Sequence, residues 1–418
     1  MILMVQETEL QEIRVQEISE EKMSFLLGTE EMVWDMPKQK AFVPFAEETM
    51  SFLAALSKAL MKGERGHRMP DVASFAFWCR STHLEQMRAE HKKSRGKRLG
   101  RGVSLHFAPS NIPVLFAYTM AAGLLAGNCV IVRLPQKVTE QQCLITEEIQ
   151  KLLADEYQMF LGRIVFCRYA HLREVTDRLS QMCDVRVIWG ADNSVNEIRK
   201  SPLPSRAIEL PFASRQSAVI LCAKEVLDLK SMDLLVQNFY NDTYLNDQNA
   251  CSSPRLIYWL GTEALVREAQ DRFWKEMYVF LQKRNYTVSA VLAVQKLDSA
   301  FYMAAAYERV KLIQHGNQIV RVQVPCLEAS MWKHTVPGGF FVESFGDNPE
   351  GMCDMLTDNC QTLCTFGIDR EKLAEYLVEK RVDGVDRIVP VGRAMDFSLY
   401  WDGMDLIDMM SRRIDLEM

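Results

Sequence analysis

Residues 103–135 read VSLHFAPSNIPVLFAYTMAAGLLAGNCVIVRLP. From Val103 to Val132 there is no Asp, Glu, Lys or Arg, and hydropathy alone would allow the stretch to span a bilayer. Its punctuation argues against that. Pro109 and Pro113 interrupt it early, and Gly123, Gly127 and Asn128 interrupt it late. The stretch therefore divides into a strand at Ser104–Phe107, a loop, a buried helix at Val114–Ala126 and a second strand at Val130–Arg133. A strand, a helix and a strand in close succession make a parallel βαβ unit, so the reading is an α/β sheet with no membrane span.

Outward from this unit the alternation continues. Helices are expected at Glu140–Glu156 and His171–Met182, and strands at Ile164–Cys167 and Val185–Trp189. A second α/β unit begins near Ala218–Cys222 and continues through Leu256–Leu260 and Val288–Val294. Between the last two lies a long helix, Glu263–Gln282, with Leu265, Ala269, Phe273, Met277 and Phe280 in step. Further strands are expected near Ile319–Val324, Phe340–Glu343 and Leu363–Phe366, then a helix from about Arg370 capped by Asp369. Upstream, Glu47–Met61 and Val72–Cys79 read as helices whose apolar residues pack a core. The expected fold class is thus α/β, with two parallel-sheet, Rossmann-type domains and a helical N-terminal segment. Its borders are expected at 1–100, 101–222, 223–384 and 385–418.

A chain of 418 residues is too long for one core, which agrees with two domains. The net charge of −6 and the dispersed basic residues point to no nucleic-acid partner. The one basic run, His91–Arg98, reads as a solvated linker, with an anion-binding patch as the alternative. The opening residues Met1–Glu7 lack a basic region and turn acidic, so no secretory signal is expected. Eleven scattered cysteines suggest free thiols and a cytoplasmic location. Cys353, Cys360 and Cys364 lack paired C-x-x-C spacing and a histidine partner, so no metal site is expected.

Three segments carry chemistry. In Ala108–Pro113, Asn111 leaves a strand and enters a helix; its amide either donates to an oxyanion or caps the helix. In Leu125–Pro135, Arg133 ends a strand and either grips a phosphate or ribose or makes a surface salt bridge. In Asn246–Pro254, Cys251 follows a polar loop and is either a nucleophile or a small core residue.

In order and spacing these segments resemble the aldehyde dehydrogenase superfamily, and more closely its LuxC-like acyl-CoA reductases. The resemblance is carried also by Phe75–Cys79, Ala122–Pro135, Asp386–Phe397 and Trp401–Gly403, over roughly residues 50–407. It implies that Cys251 is the nucleophile, with Asn111 and the Cys251 backbone N–H forming the oxyanion hole. It places Arg133 and Pro135 where the superfamily often has a cofactor-binding lysine strand, and Trp189, Gly190 and Ala191 at the nicotinamide-nucleotide loop. Residues 101–222 would then bind the nucleotide, 223–384 would carry Cys251, and 385–418 would return to the cofactor and oligomerisation region.

Members that oxidise aldehydes use a glutamate before a Leu-Gly-Gly turn as base for hydrolytic water. The nearest candidate base is Glu209, in Ile208-Glu209-Leu210-Pro211-Phe212, and the glycines are missing. That departure favours a thioester reductase, which needs no such water. The resemblance implies an acyl-CoA or acyl-protein substrate, NADPH as cofactor with NADH the alternative, a homo-oligomer and an acyl-activating synthetase as partner. Arg133 and Lys137 could meet the 2′-phosphate of NADPH. The competing readings are a cysteine-dependent acyltransferase or thioesterase that uses no nucleotide, and a non-catalytic acyl-binding scaffold.

Overall fold

The computed structural model describes residues 23–91, 96–170, 172–353 and 355–415; the start of the chain and residues 92–95 of the basic run lie outside them. The described residues form two compact units. One runs to Ala213 and resumes at Met404; the other is Ser214–Gly403.

The first unit holds a six-stranded sheet: β1 (Ser24–Leu27), β2 (Val103–Phe107), β3 (Cys129–Arg133), β4 (Ile164–Arg168), β5 (Val185–Trp189) and β6 (Ile208–Phe212). The spatial order is β1-β4-β3-β2-β5-β6, parallel except for β1. The chain steps outward from β2 through β3 to β4, then crosses back to β5 on the other side of β2. That reversal opens a crevice at the carboxyl ends of β2 and β5, where sheets of this kind bind ligands.

All eleven residues of the helix Leu115–Leu125 are buried. This explains the missing charges: the helix has no solvent face, and none is needed for a membrane. Among the described residues no helix is long and apolar enough to cross a membrane. The helix stops at Gly127, whose φ of +91° is left-handed and whose Cβ would lie 2.1 Å from the Phe42 carbonyl oxygen, so only glycine fits. Asn128 then accepts from the N–H groups of Arg101 (2.7 Å) and Gly102 (3.0 Å) and donates to the Met410 carbonyl (2.9 Å). The Ala-Gly-Asn turn is thus a structural joint. Strand β6 was not apparent from the sequence because Pro211 interrupts it; as an edge strand it tolerates the missing N–H.

The second unit holds β7 (Gln216–Cys222), β8 (Pro254–Leu260), β9 (Lys311–His315), β10 (Ile319–Gln323), β11 (Phe340–Gly346), β12 (Cys360–Phe366) and β13 (Arg387–Pro390). Their order is β9-β10-β11-β8-β7-β12-β13, parallel except for the hairpin β9–β10. Strand β7 pairs with β8 and β12, which ties it to this unit. Alternate residues serve opposite faces: Val219, Leu221, Ile257 and Trp259 pack against Phe239 and Phe273, whereas Ala218, Ile220, Leu256 and Tyr258 pack against Met303 and Leu373. Both faces are covered, so these strands are apolar throughout.

Two expectations are corrected here. Residues 288–294 are not a strand; Ser289 caps a helix, Ala290–Ala306, by accepting from the Leu292 N–H. Its buried positions are Lys296, Ser299, Ala300 and Met303, a helical spacing, while Val291 and Val294 are 69% and 65% exposed. The β-branched residues that suggested a strand lie on the outer face. The long helix is Glu263–Lys283, but its buried stripe runs through Val266, Ala269, Phe273, Trp274 and Met277, and Leu265 is exposed. The capped helix Arg370–Glu379 is as expected, Asp369 accepting from the N–H groups of Glu371 and Lys372.

Candidate active site

In the first unit the predicted residues gather along the carboxyl edge of the sheet. Asn111 is exposed in the loop after β2. The helix that follows is capped at Val114, which makes no side-chain cap hydrogen bond. Asn111 thus lies three residues before the N-cap position.

Arg133 ends β3. Its Nη2 donates to the Tyr169 carbonyl oxygen (3.2 Å) and its guanidinium carbon lies 5.5 Å from the Tyr169 ring. Among the described residues no carboxylate lies within 4.0 Å of it, so the salt-bridge alternative is not realised. The Pro135 carbonyl accepts from Arg168 Nε (3.0 Å), and Gln136 Nε2 donates to the same Tyr169 carbonyl (2.5 Å), fixing this corner.

Trp189, Gly190 and Ala191 turn from β5 into the helix Asp192–Arg199. The Trp189 ring stacks on Phe212 with centroids 3.9 Å apart, and the Gly190 N–H donates to the Phe212 carbonyl (3.1 Å). Trp189 Nε1 donates to Thr119 Oγ1 (3.1 Å), which lies 2.6 Å from His106 Nδ1. A tryptophan N–H can only donate, so Thr119 Oγ1 is the acceptor in that bond. His106 is fully buried and burial pushes its pKa down to about 3, so the ring is neutral.

Glu209, the candidate base, lies on β6. It is paired with Arg186, which is buried, and with Arg199 Nε at 2.8 Å. Both carboxylate oxygens are engaged by guanidinium groups, which makes Glu209 an anchor of this sheet edge.

In the second unit Cys251 sits half-buried between a short turn, Tyr244–Asn246, and β8. Asp247 and Gln248 both have left-handed φ values, 50° and 56°. Non-glycine residues there cost roughly 1 kcal/mol or more each, so something must hold the loop. Gln248 does so. Its buried amide donates to the carbonyls of Pro254 (3.0 Å) and Phe340 (3.3 Å) and accepts from the N–H groups of Gly339 (2.7 Å) and Phe340 (3.3 Å). Tyr286 donates its hydroxyl to Asp247 (2.7 Å), and Ser217 donates to the Cys251 carbonyl (2.7 Å).

Beside this loop is a cation. Arg255 Nη2 donates to the Gln248 carbonyl (3.0 Å), and among the described residues no carboxylate lies within 4.0 Å of the guanidinium. Burial lowers its pKa, and the charge of a Cys251 thiolate opposes that shift. Other cysteines are deeply buried. Burial pushes Cys167, Cys183 and Cys360 up to about 12, and Cys79 and Cys364 well above their ordinary value. They are core thiols.

Among the described residues one cluster has the spacing of metal ligands. His91, Asp405 and Asp408 bring ligand atoms within 4.8 Å of one another, but Asp408 is already paired with Arg98 at 2.8 Å. The arginine supplies the charge that a cation would.

A family model of acyl-CoA reductase (LuxC) matches residues 44–295, more than half of the chain and a span that takes in both Asn111 and Cys251. The chain belongs to the acyl-CoA reductase (LuxC) family. No curated protein matches it by sequence. Among solved structures it is similar to a salicylaldehyde dehydrogenase from Pseudomonas putida G7, with TM-score 0.65 and 14% identity over 92% of this chain and 87% of that one. It is also similar to aldehyde dehydrogenase 21 from Physcomitrella patens, with TM-score 0.64 and 14% identity over 91% and 87%. A third is a NAD-dependent benzaldehyde dehydrogenase from Corynebacterium glutamicum, with TM-score 0.61 and 12% identity over 91% and 88%. The chain thus has the aldehyde dehydrogenase fold.

Sequence reasoning passed over two residues around Cys251, Ser217 and Arg255. Ser217 is remote in sequence and meets Cys251 only because β7 pairs with β8. Arg255 left a faint signal: a cation inside an apolar strand, four residues after the cysteine.

Proposed function

We propose that the protein reduces an acyl-CoA thioester to an aldehyde with NADPH through an acyl-enzyme on Cys251. The observation that carries this reading is the strained loop 247–251, over-determined by Gln248 and set beside Arg255, within the span of the acyl-CoA reductase match. Strain held by surrounding structure is characteristic of functional sites.

The Cys251 thiolate attacks the acyl carbonyl, and the guanidinium of Arg255 favours that charge. Asn111 and the Cys251 N–H donate to the tetrahedral oxyanion; one such donor is worth about 2.7–4 kcal/mol. The C–S bond to coenzyme A breaks, its thiolate takes up a proton, and the acyl group remains on Cys251 as a thioester. When bound, a nicotinamide would provide the hydride that this carbonyl carbon accepts. The resulting thiohemiacetal on Cys251 collapses to aldehyde and returns the thiolate. Glu209, held by Arg186 and Arg199, takes no part, in keeping with an acyl-enzyme that is reduced and not hydrolysed.

A nicotinamide nucleotide suits the first unit. Arg133 offers a guanidinium with no carboxylate partner among the described residues, at the carboxyl edge of the sheet next to Pro135, and the Trp189-Gly190-Ala191 turn borders the crevice beside β2. The aldehyde dehydrogenase fold, one solved example of which is NAD-dependent, supports a nicotinamide cofactor. Arg133 and Lys137 favour NADPH through its 2′-phosphate.

The test is to mix the protein with a chain-length panel of acyl-CoAs and either NADPH or NADH, following nicotinamide absorbance, free thiol and aldehyde. One aldehyde and one coenzyme A thiol are expected per NADPH oxidised, with NADH slower. Thiol release without nucleotide oxidation would instead mark a thioesterase or acyltransferase and overturn the reading.

A further inference from the structure

The helix Ala290–Ala306 buries one charged side chain, Lys296, completely. Its Nζ donates to the carbonyl oxygens of Asn317 (2.5 Å) and Gly338 (2.6 Å). Among the described residues no carboxylate lies within 4.0 Å of it. Burial lowers its pKa to about 8, so a lysine at this position costs stability that a simple apolar residue would not.

The carbonyl it holds belongs to a turn that grips the Cys251 loop. Gly338 donates its N–H to the Asp247 carbonyl (3.0 Å), and Gly339 donates to Gln248 Oε1 (2.7 Å). Both glycines are left-handed, with φ of +77° and +87°. A Cβ on Gly338 would lie 2.3 Å from Leu292 Cδ2, and one on Gly339 would lie 2.0 Å from the Gln318 carbonyl oxygen. Leu292 and Lys296 are four residues apart on one helix face. That face presses the turn from one side while the turn holds Asp247 and Gln248 on the other.

We propose that Lys296 is a positioning residue for Cys251, acting through the Gly338-Gly339 turn. It rests on the reading of Cys251 as nucleophile. Lys296 ties the turn to the β9–β10 hairpin through Asn317, and the turn sets the two left-handed residues that aim the cysteine. The lysine is retained for placement of the loop and not for stability.

The test uses the full chain with Lys296→Gln and Lys296→Met, alongside Cys251→Ser. Steady-state reduction of an acyl-CoA is measured, with alkylation of individual cysteines by iodoacetamide followed by peptide mass spectrometry. Glutamine is shorter and cannot reach both carbonyls, so it should lower kcat by roughly fivefold, the equivalent of one hydrogen bond. Methionine removes both bonds and should lower kcat by more than tenfold. KM for acyl-CoA should stay within about twofold in each, and the alkylation rate of Cys251 should change while those of Cys222 and Cys326 do not. A purely structural lysine would leave kcat and the Cys251 rate of the folded variants at wild-type values, and that result overturns the proposal. If the methionine variant does not fold, the glutamine variant decides alone: a fewfold loss in kcat at constant KM supports it, and wild-type kcat sinks it. A Cys251→Ser protein that still forms aldehyde would instead defeat the underlying reading.

Discussion

The Ser217 hydroxyl donates to the Cys251 carbonyl oxygen over 2.7 Å, and the same oxygen of Ser217 accepts from the Thr362 N–H at 3.2 Å. One buried serine therefore links the loop of the candidate nucleophile to two strands of its sheet. The loop is not a free surface excursion; its backbone is fastened at the carbonyl of Cys251 itself, at Gln248 and at Asp247.

Ser217→Ala leaves that carbonyl and the Thr362 N–H without partners. Each buried group left unsatisfied costs roughly 1–3 kcal/mol, so the urea midpoint should fall accordingly. Turnover should fall with it in the folded protein, and Ser217→Thr, which keeps the hydroxyl, should recover most of both. An unchanged kcat in Ser217→Ala would mean that this fastening does not matter to the chemistry.

Asn111→Ala should lower kcat about a hundredfold, the typical effect of removing an oxyanion donor. Thermal stability is measured beside it, because a helix cap would show there. A stability loss with normal turnover would reverse this reading.

His106 predicts a pH dependence of stability. Its folded pKa is pushed down to about 3 from 6.5 by burial, so the unfolded chain takes up a proton first as pH falls. Its contribution is complete above 6.5 and is lost progressively as pH drops toward 3. Between pH 6.5 and pH 5 the loss approaches about 2 kcal/mol, at about 1.36 kcal/mol per pH unit. Urea unfolding at both pH values should show a flatter dependence in His106→Gln. Equal slopes in the two proteins would contradict a neutral buried ring.

The core of the second unit hides a charge. Glu343, fully buried, accepts from Arg321 Nε (2.8 Å), Trp259 Nε1 (3.1 Å) and Trp274 Nε1 (2.8 Å). Glu343→Gln leaves the Arg321 guanidinium buried and uncompensated, and should cost about 3–5 kcal/mol in urea unfolding. A loss below about 1 kcal/mol would show that the arginine finds water or another partner.

Much of this was legible in the chain. The charge-free segment from Val103 to Val132 resolves into strand, buried helix and strand because prolines and glycines punctuate it, and both sheets follow from the same alternation. What escaped has physical causes. Residues 288–294 read as a strand because β-branched residues on an exposed helix face mimic an apolar run. The arginine partners of Glu209 come from neighbouring elements that spacing does not reveal. Lys296 left no local signal, because its role lies in two carbonyls that only the folded chain brings to it. Arg133, by contrast, was placed at a strand end by pattern, and its lack of a carboxylate partner needed the structure.

The central claim is that Cys251 carries the acyl group. The most direct measurement is to incubate the protein with a radiolabelled acyl-CoA and no nucleotide, digest it, and locate the label. The account predicts a hydroxylamine-labile thioester on Cys251, discharged as aldehyde when NADPH is added, and no adduct in Cys251→Ser. Label on a different cysteine, with aldehyde still formed by Cys251→Ser, would contradict it.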